Sequence, residues 1–222
     1  MSAQDTASTE SSQCADFHFG LIVTGDTEQE HLPKLFKSLK ETGGCKFEVI
    51  QTIGQRDPRT SSRPRRNLKV LGTNQSIPPT DWEEIGLPAI EHVNQSGYHF
   101  VILIDDLEYR RRDQAPLVFD RYRTALDIAL KALKHRASVH FLVYMLEAYY
   151  FADTQAINAV LGTSLPDRDD DVETIRNPKS DLRELYPSFR EINDGGRILD
   201  QIDIERVLSG PDACASLRTL FA

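Results

Sequence analysis

A chain of 222 residues, 40% hydrophobic and 27% charged, is long enough for one globular domain with a small appendage. Its formal net charge of −8 excludes a surface that binds polyanions indiscriminately, so any nucleic-acid contact needs a local basic patch. Cys14, Cys45 and Cys214 are widely spaced and odd in number, which argues against a disulfide scaffold or zinc site and for a reducing, cytoplasmic compartment.

Residues 1–16 are rich in Ser, Thr, Gln and Ala and lack a charged-then-apolar leader pattern, so a disordered lead-in is expected there rather than a signal segment. No apolar run reaches the roughly 18 residues of a membrane span. FHFGLIV, from Phe17 to Val23, reads as a strand ending in the turn Thr24-Gly25-Asp26-Thr27. Leu32, Leu35, Phe36 and Leu39 recur at helical spacing, closed by Gly43-Gly44, and Lys46 to Ile53 alternates as a strand. A basic loop follows, with Arg56, Arg59, Arg63, Arg65 and Arg66 set among Pro, Ser and Thr. A helix is predicted from Trp82 to Val93. Tyr98 to Ile104 (YHFVILI) is apolar on both faces, the mark of a central parallel strand.

A helix from Phe119 to Leu133, a strand from Val139 to Leu146 and a helix beginning near Glu147 continue the alternation. The expected fold is therefore α/β, an open, mostly parallel sheet flanked by helices. After Gly162 comes an acidic linker, PDRDDD. Beyond it only helical patterns appear, so residues 163–222 are expected to form a helical extension packed on the same domain.

In such a sheet, ligands sit beyond the carboxyl ends of the strands. Asp105, Asp106 and Glu108 after the central strand, Glu28 after the first and Glu147 after a later one place acids in one layer. Hard cations take oxygen ligands, so Asp105, Asp106 and Glu108 are candidate ligands for Mg2+ or Mn2+, and Glu28, Asp106 and Glu147 are candidate catalytic acids. Asp105 and Asp106 point to opposite sides of a strand, and Glu108 shares the side of Asp106 if the strand persists. An alternative reading of the same acids is helix capping and turn formation. Gly25-Asp26-Thr27-Glu28 matches neither the P-loop nor the dinucleotide fingerprint. The arginine loop is a candidate phosphate clamp or else a solvated loop. His18, His99 and His140 fall in strand patterns as core residues, while His31, beside Glu28 and Glu30, is the one histidine near the acids. Tyr149, Tyr150 and Phe151 read as a packed aromatic helix face.

The segments LIVTGDTEQEHL, VILIDDLE, FLVYMLEAYYFAD, NPKSDL and RILDQIDIERVL, in that order, resemble the bacterial family catalogued as domain of unknown function 4276, related to the Toprim fold. The resemblance implies a Toprim-like α/β domain over residues 17–162. It also implies magnesium-dependent cutting or rejoining of nucleic-acid phosphodiesters, and an ATPase partner in bacterial defence against phage or mobile elements. Thr24 departs from the family pattern, standing where Val-Glu-Gly places a glutamate, while Gly25, Thr27 and Glu28 match. Two readings follow: a metal-dependent nuclease, or a Toprim-like scaffold that has lost its chemistry and serves as the binding or regulatory partner of an ATPase.

Overall fold

The computed structural model describes residues 16–56, 67–69, 76–168, 170–210 and 214–222. The expected N-terminal lead-in up to residue 15, and Arg59, Arg63, Arg65 and Arg66, lie outside the described residues. In chain order the first elements are β1 (Phe17–Val23), α1 (Asp26–His31), α2 (Lys37–Thr42) and β2 (Cys45–Thr52). The short pair β3 (Leu68–Lys69) and β4 (Ser76–Ile77) follows. Next, α3 (Pro79–Asp81) runs through a π-helical stretch, Trp82–Gly86, into α4 (Leu87–Val93). Then come β5 (Tyr98–Leu107), α5 (Ala115–Leu130), β6 (Ala137–Val143) and α6 (Thr154–Leu161). The chain closes with α7 (Pro178–Leu185), α8 (Glu191–Gln201), α9 (Ile204–Ser209) and α10 (Ala215–Phe221).

Four strands form one parallel sheet in the order β2-β1-β5-β6. The α/β expectation holds. Of the four strands β5 is the longest, and its alternation divides the core in two. Val101 and Leu103 face one hydrophobic cluster with α4 and α5, built on Ile85, Val118, Tyr122 and Leu126. Ile102 and Ile104 face the other, which gathers Leu32 and Phe36, the aromatic run Tyr149–Phe151, and Leu182, Ile198, Val207 and Leu217 from the C-terminal helices. Residues 163–222 therefore share a core with the sheet. Burying two such faces is what offsets the ordering entropy of this many short elements.

The chain leaves β1 toward β2 on one side of the sheet and returns through β5 to β6 on the other. The carboxyl ends of β1 and β5 are thus a topological switch point, where adjacent connections part and open a crevice. One difference from expectation matters here. β5 continues to Leu107 rather than stopping at Ile104, with Asp105 and Asp106 paired to Phe141 and Leu142 of β6. Both acids sit inside a ladder that fixes their backbones, and they face opposite sides.

Candidate active site

On the α5 side, Asp105 is fully buried and fully engaged. Arg111 approaches it in a two-pronged grip, Nη1 to Oδ1 at 3.3 Å and Nη2 to Oδ2 at 3.1 Å. The Tyr122 hydroxyl donates to Oδ2 at 3.0 Å and the Thr24 hydroxyl to Oδ1 at 3.0 Å. Thr24 in turn accepts the Asp106 backbone N–H at 3.1 Å, so it stitches β1 to β5. The same network continues outward. Tyr122 accepts the Arg56 backbone N–H, and Arg111 Nη2 donates to the Arg56 carbonyl at 2.8 Å. The buried Asp81 is held by Arg56 at 3.1 Å and by Arg121 at 2.7 and 2.8 Å, with Glu84 also paired to Arg56. Each of these charges has an opposite charge within reach, as buried charges require.

The opposite side is different. Asp106, Glu28 and Glu147 are all buried, and Oδ1 of Asp106 and both carboxylate oxygens of Glu147 have no hydrogen-bond partner among the described residues. Glu28 stands on α1, where Gly25 lets its carboxylate fold back. A Cβ at Gly25 would collide with Oε2. Glu147 is carried in by the tight 3-10 turn Leu146–Ala152 after β6. That turn opens on two non-glycine residues with positive φ, Tyr144 at 59° and Met145 at 82°. Such backbone is costly and persists only where its surroundings over-determine it. Here Tyr144 N–H is tied to the Leu107 carbonyl at 2.9 Å.

Lys179, from the first turn of α7, is the nearby cation. Its Nζ lies 3.5 Å from Glu147 Oε1, too long for a hydrogen bond, and 3.0 Å from Glu191 of α8. Tyr150 is wholly buried, and its hydroxyl, also without a partner, lies in the field of Glu147, Glu28 and Asp106. Gly195 of α8 makes room for it, since a Cβ there would stand 2.8 Å from the hydroxyl.

Burial is the first cause of each upward shift among the pocket's acids, because it penalises the charged form. It pushes Asp106 well above the ordinary carboxylate range, with Glu28 and Glu147 adding repulsion against the pull of Lys179. Glu147 is raised to about 7 by burial, opposed by Lys179. Glu28 is raised by burial as well, opposed by its own backbone N–H and by Lys179. The three acids share one pocket electrostatically, each repelled by a neighbouring carboxyl and drawn by Lys179.

Of the acids singled out in the sequence, the structure brings Glu28, Asp106 and Glu147 together. It does not bring Asp105, which faces the other side, or Glu108, which is exposed past the end of β5 with its N–H on the Asp106 carbonyl. The metal set Asp105, Asp106 and Glu108 is accordingly divided among two faces and solvent. Arg56 is committed to Asp81 and Glu84. His31 does lie beside the pocket, buried against Gly196 of α8, with neither ring nitrogen hydrogen-bonded.

Sequence reasoning passed over Lys179, although it lies in the NPKSDL segment behind a helix-starting proline. It also took Tyr150 for packing alone. The donors suit a hard cation: oxygen only, negative and unsatisfied. Among the described residues no group of three or more His, Cys, Asp or Glu side chains is placed to hold a metal ion by itself. Magnesium does not need one, since it takes one or two carboxylates and fills the rest with water and phosphate oxygens.

The solved C-terminal region of the Burkholderia pseudomallei OLD protein is 16% identical, with 90% of this chain and 92% of that one covered at a TM-score of 0.45. For the C-terminal region of the Xanthomonas campestris pv. campestris OLD protein the figures are 14%, 86% and 91%, and 0.37. No curated protein matches. No helix among the described residues is long and apolar enough to cross a membrane. The model of one family, described as domain of unknown function (DUF4276), matches residues 23–221, and the chain belongs to that family.

Proposed function

We propose that this chain is a Toprim-like, Mg2+- or Mn2+-dependent nuclease that processes phosphodiesters of nucleic acid, with Glu28, Asp106 and Glu147 as its acids. The observation that carries this reading is the set of orphaned oxygens on Asp106 and Glu147 at the switch point of the sheet. Buried polar groups are almost always satisfied, so three unsatisfied carboxylate oxygens in one pocket point to a missing cationic partner. Asp106 with Glu28 or Glu147 would hold a divalent cation, which would supply Lewis-acid polarisation of a phosphate and a water of lowered pKa.

The chain's own groups do the rest. Glu147, with a pKa near 7, can take or give a proton at neutral pH. Lys179, 3.5 Å from Glu147 Oε1, would offer its ammonium to a non-bridging phosphate oxygen. Tyr150 and the aromatic wall around it keep bulk water from the acids. Gln55 donates through Nε2 to the Asp106 carbonyl at 2.8 Å, and the arginines that follow it in sequence, Arg59, Arg63, Arg65 and Arg66, are assigned the task of steering the strand. A role in defence against phage or mobile elements alongside an ATPase belongs to the same reading.

One observation favours the second reading, a scaffold without chemistry. Thr24, in the place of the family's glutamate, is tied into the Asp105 network, and Lys179 already gives the pocket a cation. Calorimetric titration of the metal-free protein with Mn2+ and Mg2+ separates the two. The nuclease reading requires binding in the wild type that is lost in Asp106→Asn and weakened in Glu28→Gln or Glu147→Gln, whichever supplies the second ligand. A wild type that binds neither ion rejects it in favour of the scaffold.

A further inference from the structure

Three pocket residues have a neighbour three positions away that lies outside the pocket and has a different character. Past Asp106, the chain turns into a 3-10 segment, Tyr109–Gln114, that begins with Tyr109. Before Glu147 stands Tyr144, and before Lys179 stands Arg176. These three outer residues meet. The Tyr109 and Tyr144 rings are 5.3 Å apart between centroids, inclined at 57°. The Arg176 guanidinium lies 4.8 Å from the Tyr109 centroid and that of Arg112 lies 4.4 Å from it.

Two like charges thus share one aromatic ring. Arg112 and Arg176 are exposed, as is the adjacent Arg110. The carboxylate that touches the group is Asp113, 3.4 Å from Arg112 and itself almost fully exposed, a pairing worth little in water. Tyr144 is held in this position by backbone of positive φ, a conformation that tyrosine does not adopt without constraint. On a chain of net charge −8, this is a local cationic surface with half-buried tyrosine rings, built on the three segments that deliver Asp106, Glu147 and Lys179.

From this arrangement we infer that Tyr109, Tyr144, Arg112 and Arg176 form a docking platform for an unpaired stretch of nucleic acid, gripping its phosphates and stacking a base as the strand enters the acid pocket. The inference rests on the nuclease reading for what lies next to the platform, but not for binding itself. Guanidinium planes and tyrosine rings accept any base face, whereas a base held in a duplex stack presents only its edges. The platform shares no residue with the arginine loop that follows β2 in sequence.

Binding is measured by fluorescence anisotropy in EDTA, so that cleavage cannot occur. The probes are a short single-stranded DNA, the matching RNA and the DNA duplex, titrated over a range of salt, with 2-aminopurine in the single strands to report stacking. The single strands should bind more tightly than the duplex and quench 2-aminopurine. Tyr109→Leu should lose the quench and bind about tenfold more weakly, the order of one lost base–aromatic stack. Arg112→Gln and Arg176→Gln, both at exposed positions, should each lower the salt slope by about 0.7, one phosphate contact on a single strand.

The platform is refuted if the duplex binds as well as the single strands, if the three variants match the wild type, or if the wild type binds none of the probes. Preference for DNA or RNA would name the strand and support the inference in either case. Failure here leaves the metal titration untouched, so the platform and the acid pocket can fail separately.

Discussion

Asp105 and Asp106 are chain neighbours, equally deep in the same strand, and they have opposite environments. Asp105 is met by a guanidinium and two hydroxyls. Asp106 faces two other carboxylates and leaves an oxygen unpaired. The aromatic pair after β6 repeats the pattern. The Tyr149 hydroxyl accepts the Val143 N–H at 2.9 Å and donates to Glu173 at 3.1 Å, while the Tyr150 hydroxyl has no partner. Burial of a polar group therefore does not distinguish a structural acid from a functional one. What distinguishes them is whether the fold has supplied the partner. On the α5 side it has, and the charges act as rivets between β1, β5 and α5. On the α1 side three carboxylate oxygens have no hydrogen-bond partner among the described residues.

The largest expected effect tests this contrast directly. Asp105→Ala removes the acceptor of Arg111 and Tyr122 and leaves a buried guanidinium unpaired, which costs about 3–5 kcal/mol. Asp106→Ala removes a repelled, unsatisfied carboxyl from the metal-free protein and should leave stability unchanged or raise it. Urea denaturation in EDTA gives both values. Equal losses at the two positions would break the comparison, because Asp106 would then have a structural partner too.

A second effect follows from pH. Glu147 has an ordinary value of 4.5, and its folded value is about 7. Between those two values the unfolded chain has released its proton while the folded chain keeps it, so the native state binds more protons. Stability of the metal-free protein must fall as pH rises through that window, by about 3 kcal/mol from Glu147 alone. Glu28 and Asp106 are shifted in the same direction and deepen the loss. Lys179 is raised by Glu147 and Glu191 against its own desolvation, and titrates above the window. The thermal midpoint in EDTA should drop from about pH 5 to about pH 8, Glu147→Gln should flatten the drop, and Mn2+ should restore more of it at the higher pH. A midpoint that rises with pH across this range would reverse the sign of the argument.

Much of the frame was legible in the sequence. YHFVILI can only be a strand buried on both faces, and strand–helix alternation gives the parallel sheet and hence the edge where acids collect. The opposite facing of Asp105 and Asp106 follows from strand parity alone. What parity cannot supply is which face carries partners, because those come from elsewhere. Arg111 and Tyr122 arrive from the 3-10 turn and helix after β5, and Lys179 from α7, whose approach depends on how the C-terminal helices pack. Glu108 was grouped with the acids on the premise that the strand persisted. It ends at Leu107, one residue too soon. Gly195 and Gly196 in the middle of a helix were a readable anomaly, since helix interiors disfavour glycine, but the sequence did not say which side chains had claimed the space.

The smallest effect uses that anomaly to sharpen the tyrosine pair. Alanine in a helix interior is about 1 kcal/mol better than glycine, so Gly195→Ala would stabilise α8 if nothing stood in the way. The Tyr150 hydroxyl does, at 2.8 Å from the new Cβ, with the ring carbons at 3.4 Å and beyond. The clash should outweigh the propensity gain and leave Gly195→Ala about 1 kcal/mol less stable. Tyr150→Phe removes the clashing atom and no hydrogen bond, so it should be close to neutral alone and should turn Gly195→Ala into a stabilising change. Tyr149→Phe removes an atom with two partners and should cost about 1–2 kcal/mol. Four denaturation curves, of the two single variants at Gly195 and Tyr150, their double and Tyr149→Phe, decide the matter. If Tyr150→Phe costs as much as Tyr149→Phe, the Tyr150 hydroxyl has a partner in solution, and the pocket is better satisfied than its geometry indicates. If it costs nothing and rescues Gly195→Ala, α8 carries its glycine to admit a hydroxyl that the fold itself does not use.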